Sequence, residues 1–113
     1  MIRVKEFLTE EDESPFGKWF DALDSQAAAM VAVQLGRLAD GNISNAKPIG
    51  EGVAELRIDR GPGYRVYFGW DGRTLVILLG GGTKRRQQND IKAALKHWRD
   101  YKARKRAASR KRS

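Results

Sequence analysis

The sequence predicts an α+β fold, on three observations. A short alternating run opens the 113-residue chain, and three more follow one another between Val53 and Leu79, separated by tight turns. Helix-period segments lie before those three runs and after them. Strands in sequence joined by short turns make an antiparallel meander, so helices are grouped around the sheet rather than alternating with its strands.

Ile2 to Leu8 alternates and reads as a first strand. Ser14 is a helix cap and Pro15 a first helical residue, with Phe16, Trp19, Phe20 and Leu23 at helical spacing. Asp24-Ser25 restarts a helix from Gln26 to about Ala39, with Met30, Val33 and Leu38 as its apolar contacts, and Gly41-Asn42 stops it. Asn42 to Gly52, with Pro48 and two glycines, reads as a loop. Val53–Ile58, Tyr64–Trp70 and Arg73–Leu79 are the meander, with a turn at Asp59–Gly63, a hairpin turn at Asp71-Gly72, and Gly80-Gly81-Gly82 as its end. Ile91, Leu95 and Trp98 mark one face of a last helix from about Gln87 to Ala103. The expected architecture is a small antiparallel sheet, the N-terminal strand plus the meander. Two early helices pack on one of its faces, and a C-terminal helix completes the fold. Residues 1–103 form one domain, and 104–113 a basic, frayed tail.

The chain has no cysteine, which excludes disulfides and thiol chemistry and fits a reducing cytoplasm. Charges interrupt the N-terminus at once, and the longest apolar run, Leu75 to Leu79, is far below the ~20 residues of a membrane span. Residues 1–56 hold five Lys/Arg against ten Asp/Glu, net −5; residues 57–113 hold seventeen against four, net +13; together they give the chain's +8. This asymmetry points to a polyanionic partner for the C-terminal half.

Glu55-Leu56-Arg57-Ile58, Gly63-Tyr64-Arg65-Val66-Tyr67-Phe68, Leu78-Leu79-Gly80-Gly81-Gly82-Thr83-Lys84 and the helix-opening Asp90-Ile91 stand in that order over most of the chain. In these segments the chain resembles the RelE/ParE toxin superfamily, most closely its HigB-like, addiction-module killer branch. The resemblance implies the toxin of a type II toxin–antitoxin pair. Many such toxins are ribosome-dependent mRNA endonucleases, and the ParE-like ones inhibit DNA gyrase instead. It implies a cognate antitoxin, a small helix-turn-helix protein, and mRNA on the ribosome as partners, with DNA reached only through the antitoxin.

RNA carries its own nucleophile. A 2′-OH attacking in line gives a 2′,3′-cyclic phosphate and a free 5′-OH, and the protein supplies base, acid and cations. No metal or other cofactor is expected: there is one histidine, and no spacing of carboxylates around it resembles a ligand set. With Val66 and Phe68 turned to the core, Arg65 and Tyr67 share the opposite face, expected to be open, where a guanidinium can hold a phosphate on both arms. An ordinary solvent-facing arginine fits the same pattern. Glu55 and Arg57, two apart, share a face of the preceding strand. Either can approach Arg65 across the ladder as an ion pair, or Glu55 can act as the base. Lys84, Arg85 and Arg86 follow the glycines, as a proton donor (Lys84) and phosphate contacts, or as a plain RNA-steering patch. Relatives place a histidine or tyrosine there; this chain has only cations. The expected catalytic set is therefore Arg65, Lys84 and Glu55, with Arg57, Tyr67, Arg85 and Arg86 binding RNA. His97 lies far along the chain and is set aside. Trp19 and Phe20 read as core, and Trp70 as an edge aromatic able to stack on a base. The readings left open are an mRNA endonuclease, a gyrase inhibitor and a non-catalytic nucleic-acid-binding module.

Overall fold

The computed structural model describes residues 1–112, with side chains through residue 110. Its elements run β1 (Arg3–Glu6), α1 (Pro15–Asp21), α2 (Ser25–Ala39), β2 (Ala46–Gly50), β3 (Val53–Ile58), β4 (Tyr64–Asp71), β5 (Leu75–Thr83) and α3 (Gln87–Arg112), with a 3₁₀ turn at Lys84–Arg86 before α3. The α+β class stands: one five-stranded sheet in the order β1-β5-β4-β3-β2, with three helices. The meander β3-β4-β5 is antiparallel. β1 joins β5 in parallel, so the sheet is mixed rather than antiparallel throughout. A parallel pair needs a long crossover, and here everything from α1 to β4 supplies it.

The helix starts are where local chemistry puts them. Ser14 Oγ accepts from Gly17 N at 2.9 Å and donates to Glu6 Oε1 at 2.5 Å, tying the cap of α1 to β1. Asp24 caps α2 by accepting from Ala27 N at 2.9 Å. Gly41, at φ 96°, ends α2 with Asn42 N donating back to Arg37 O. The buried stripe of α2 is Ala27, Val31 and Leu38. Val33, expected inside, is 54 % exposed, because it lies on the other side of the helical wheel from Val31 and Leu38.

Two segments read as irregular are strands. Residues 46–50, expected in a loop, form the edge strand β2, whose proline is tolerated because an edge position leaves its missing N–H facing away from the ladder. β5 does not stop at the glycines: Gly80, Gly81 and Gly82 pair with Tyr67, Val66 and Arg65. The register shifts between Tyr67 and Phe68, leaving Leu79 as the additional residue of a bulge. A side chain at Gly81 would overlap the Trp19 ring, and one at Gly82 the Asp90 carboxylate, so these glycines let neighbours pack onto bare backbone.

Both faces of the sheet are covered. On one, Phe16, Val31 and Leu38 from α1 and α2 meet Leu56, Val66, Phe68, Val76 and Leu78. On the other, Ala94 and Trp98 of α3 meet Phe7, Val53, Tyr67, Ile77 and Leu79. Trp98 lies on Gly69 and donates Nε1–H to Glu51 O at 2.8 Å. Burying a large apolar side chain of this kind contributes about 1.5–3 kcal/mol.

α3 runs on to Arg112 rather than ending near Ala103; Ser113 lies outside the described residues. The extension is anchored. Tyr101 stacks on Trp98, with centroids 5.2 Å apart, and its hydroxyl donates to Asp71 Oδ2 at 2.5 Å. Lys105 Nζ donates to Asp71 Oδ1 at 2.5 Å, and an Arg104 guanidinium nitrogen donates to Leu8 O at 2.6 Å. Among the described residues, no helix is long and apolar enough to cross a membrane.

This packing is open to two tests. Gly69→Ala drives a methyl into the Trp98 ring and should cost about 1–3 kcal/mol of stability, read as a lower melting temperature. The second concerns pH. The Lys105 hydrogen bond, then that of Tyr101, holds the Asp71 carboxyl below its ordinary value of 3.8, while burial and Asp71 push Tyr101 up to about 12. A depressed carboxyl contributes stability above its unfolded value that is lost as pH falls through the folded one; a raised phenol contributes stability below pH 10 that is lost as pH climbs toward 12. Asp71→Asn should therefore start less stable at neutral pH and lose less on acidification below about 4, in melts recorded across the pH range.

Candidate functional site

β3 and β4 bring four of the expected residues onto one sheet face. Glu55 is the Cα partner of Tyr67, and Arg57 of Arg65. With Val66 and Phe68 in the α1–α2 core, Arg65 and Tyr67 point the other way, as the alternation predicts. That face is not open. The start of α3 closes it, leaving Tyr67 0 %, Glu55 1 % and Arg65 4 % exposed. Arg65 is thus a buried cation, not the solvent-facing one expected.

The ion pairing also differs from expectation. Glu55 does not bond Arg65 across the ladder. Arg57 Nε donates to Glu55 Oε1 at 2.9 Å along the same strand, and Gln87 Nε2 of α3 donates to Glu55 Oε2 at 2.9 Å. Both carboxylate oxygens are engaged, as a buried carboxylate requires. Arg65 turns toward the β3–β4 turn: Nη1 donates to Tyr64 O at 3.2 Å and stands 3.8 Å from Asp59 Oδ1. Its Nε and the Tyr67 hydroxyl are buried without a hydrogen-bond partner.

The rim of this face is cationic. The Arg57 side chain is 39 % exposed. Lys84, Arg85 and Arg86 line the 3₁₀ turn at the surface, and Lys84 N donates to Gly63 O at 2.8 Å. Gly63 separates Lys84 from Arg65: a Cβ there would stand 3.4 Å from Lys84 Cβ and 3.5 Å from Arg65 Nη1. At φ 75°, and with so little room, the position suits glycine. The structure therefore gathers Arg57, Arg65 and Lys84 around one turn, with Arg85 and Arg86 beside them, and places Tyr67 and Glu55 beneath.

Gln87 and Asp90 belong to the cluster and are not among the site residues the sequence suggests. Asp90 lies on the bare backbone of Gly82, the partner of Arg65. Burial raises its pKa, and Arg86 opposes the shift. Tyr67 is raised by burial first, then by Glu55 and Asp90, with Arg65 opposing. The sequence does carry a signal for these two. Gln87, Asp90, Ala94 and Trp98 repeat at helical spacing, so two polar residues occupy the stripe that Ala94 and Trp98 bury.

The residues set aside sit elsewhere. His97 packs on Phe7 with ring centroids 5.0 Å apart, and burial lowers its pKa. Trp70 meets Phe68 edge-on at 5.7 Å and is half-buried beside the hairpin turn. Trp19 and Phe20 pack against the core, as expected. Among the described residues, no group of three or more His, Cys, Asp or Glu side chains is placed to hold a metal ion.

A charge-bearing ligand fits this arrangement as an anion. Two arginines directly opposite each other on neighbouring strands repel, a repulsion that Glu55 beside Arg57 and Asp59 near Arg65 only partly offset.

Two substitutions test the geometry without reference to function. Tyr67→Phe deletes a buried hydroxyl that has no partner and should leave stability unchanged or raise it by about 1 kcal/mol. Glu55→Ala strips Arg57 and Gln87 of their acceptor in a buried setting and should cost about 2–3 kcal/mol. Denaturant midpoints of the two variants measure both.

Residues 18–106 match the family model described as "Phage derived protein Gp49-like (DUF891)". A protein of Haemophilus influenzae (strain ATCC 51907 / DSM 11121 / KW20 / Rd), titled "Uncharacterized protein", is 42% identical over 94 residues, covering 82% of this chain and 89% of that protein. The family interval takes in Glu55, Arg57, Arg65, Tyr67, Lys84, Gln87 and Asp90.

Proposed function

The chain belongs to the Gp49-like family of phage-derived proteins, and from that premise we propose that it is the toxin of a type II toxin–antitoxin pair, a HigB- and RelE-like endonuclease that cuts mRNA on the ribosome. One observation carries the reading: Arg57 stands opposite Arg65 across the β3–β4 ladder, and Lys84 stands over the same turn beyond Gly63. Glu55 on Arg57 and Asp59 near Arg65 offset part of this like charge, and a phosphate shared between the two guanidinium groups would offset more of it. A phosphodiester with neighbours on both sides suits a buried central cation and exposed flanking ones.

In this reading the 2′-OH attacks the adjacent phosphorus, the bond to the 5′-oxygen breaks, and the products are a 2′,3′-cyclic phosphate and a 5′-OH. Arg65 stabilises the charge gathering on the phosphorane oxygens. Arg57, Arg85 and Arg86 hold the flanking phosphates. Lys84 delivers the proton to the leaving 5′-oxygen. Glu55 orients Arg57 through Oε1 and, once Gln87 releases Oε2, takes the proton that the attacking 2′-OH gives up. Tyr67 supports Arg65 from beneath. No cofactor enters. The partners of the reading are the ribosome-bound message and an antitoxin of helix-turn-helix type, through which alone DNA is contacted. The compartment is the cytoplasm, where translation takes place.

Lys84→Ala is the cleanest test, because the side chain is exposed and its removal should move stability by no more than about 0.5 kcal/mol. The rate of message cleavage should fall about 10²–10³-fold, the scale seen when one transition-state donor is removed. Expression of the parent chain should arrest growth, with protein synthesis failing before DNA synthesis in pulse labelling. Mapped message ends should carry a 5′-OH. DNA synthesis failing first, with intact message, identifies a gyrase inhibitor. Product ends with a 5′-phosphate exclude the 2′-OH route.

A further inference from the structure

α3 outlasts its own core. Its last buried residue is Trp98, its last half-buried ones are Tyr101 and Lys102, and every described residue from Ala103 to Arg110 is exposed. Lys105 is held to the sheet by Asp71 of β4, and beyond it the helix continues to Arg112. Over residues 106–112 the sequence reads Arg-Ala-Ala-Ser-Arg-Lys-Arg, with four cations, no acid and no large apolar residue. The family match ends at Arg106, so this segment lies beyond what the family model describes.

Such a helix has no apolar stripe to hold it to a protein surface. Arg106 and Arg110, one turn apart, are a like-charge pair that weakens an isolated helix. Three things favour the helix all the same. Alanines at 103, 107 and 108 are strong helix formers, cations near a helix C-terminus suit its dipole, and the Asp71 anchor lies just upstream. The result is a rigid, sequence-neutral rod of positive charge. At about 1.5 Å per residue, the 20 residues from Gln87 to Arg106 put it about 30 Å along α3 from the Arg57–Arg65–Lys84 cluster.

We propose that residues 106–112 are a preformed arm that docks on the phosphate backbone of a base-paired nucleic acid, a second binding surface independent of the cleavage reading above. A rigid rod matches a ligand whose phosphates are already fixed in a ridge. A single strand would have to be ordered first, and that ordering entropy counts against it. With four cations in seven residues, the arm is built chiefly for the charge of the backbone. Held at opposite ends of one helix, the arm and the cationic cluster can engage the same nucleic acid at once, which raises the effective concentration at the second site.

The test is binding of the full chain to a blunt RNA duplex and a DNA duplex, each of about 20 base pairs, and to one of the single strands, by fluorescence anisotropy between about 50 and 200 mM salt. The variant replaces Arg106, Arg110, Lys111 and Arg112 together by Gln, which keeps helix propensity. The slope of log affinity against log salt on the DNA duplex should become shallower by about 2–4, at ~0.9 for each phosphate that the arm no longer neutralises. Melting temperature and helical circular dichroism should stay at parental values; should helix be lost, the corresponding all-Ala variant repeats the measurement. The parent should bind the two duplexes within about tenfold of each other and the single strand more weakly. Lys84→Ala should keep the parental slope to within about 1, whatever happens to cleavage, so the arm and the proposed active site fail or survive separately. A variant with the parental slope overturns the proposal, as does a preference for the single strand or a more than about tenfold preference for one duplex.

Discussion

A buried carboxylate with both oxygens occupied fixes how this molecule closes. Glu55 is held by Arg57 on its own strand and by Gln87 on the first turn of α3. A carboxylate removed from water is tolerated only when it is matched, and Gln87 supplies the match from an element 32 residues along the chain. That contact ties the first turn of α3 to β3, and Ala94 and Trp98 pack the next turns onto the sheet. The glycines then receive what the helix brings down: Asp90 onto Gly82, Trp98 onto Gly69. A side chain at Gly69 would overlap the Trp98 ring, and one at Gly82 the Asp90 carboxylate.

The same closure changes the electrostatics of β3 and β4. Arg65 is shut in beneath α3, where the surroundings are less polarisable than water and its field is less screened. The cations at the rim, Lys84, Arg85 and Arg86, stay in solvent and are screened by salt within about 10 Å. The cationic face thus grades from the exposed Lys84, Arg85 and Arg86 through the half-buried Arg57 to the buried Arg65. The unpartnered Arg65 Nε and Tyr67 hydroxyl lie in the buried part of this face, where unsatisfied donors cost most.

Much of this is legible in the residues themselves. The caps at Ser14 and Asp24, the Gly41 stop, the meander turns and the shared face of Arg65 and Tyr67 all follow from local geometry and alternation. Other features do not. Pro48 and its neighbouring glycines look like a loop because local preference disfavours a strand; edge pairing to β3 overrides it. Gly80-Gly81-Gly82 look like a strand end because nothing local shows that Trp19 and Asp90 need bare backbone there. Val33 looks like a core residue because two apolar stripes compete on α2, and only packing decides between them.

The sequence by itself determined which residues share a face: alternation puts Glu55, Arg57, Arg65 and Tyr67 together, and the charge count makes the chain from residue 57 onward cationic. Only the tertiary structure decided whether that face is wet or dry. Periodicity is a property of one element, whereas cover comes from another element a long way off in sequence, and here it depends on Gln87 finding Glu55. The Arg65 side chain is the same in either case. Buried by α3, it becomes a fixed charge with an unpartnered nitrogen instead of a surface arginine, because burial removes the water that would otherwise have satisfied and screened it.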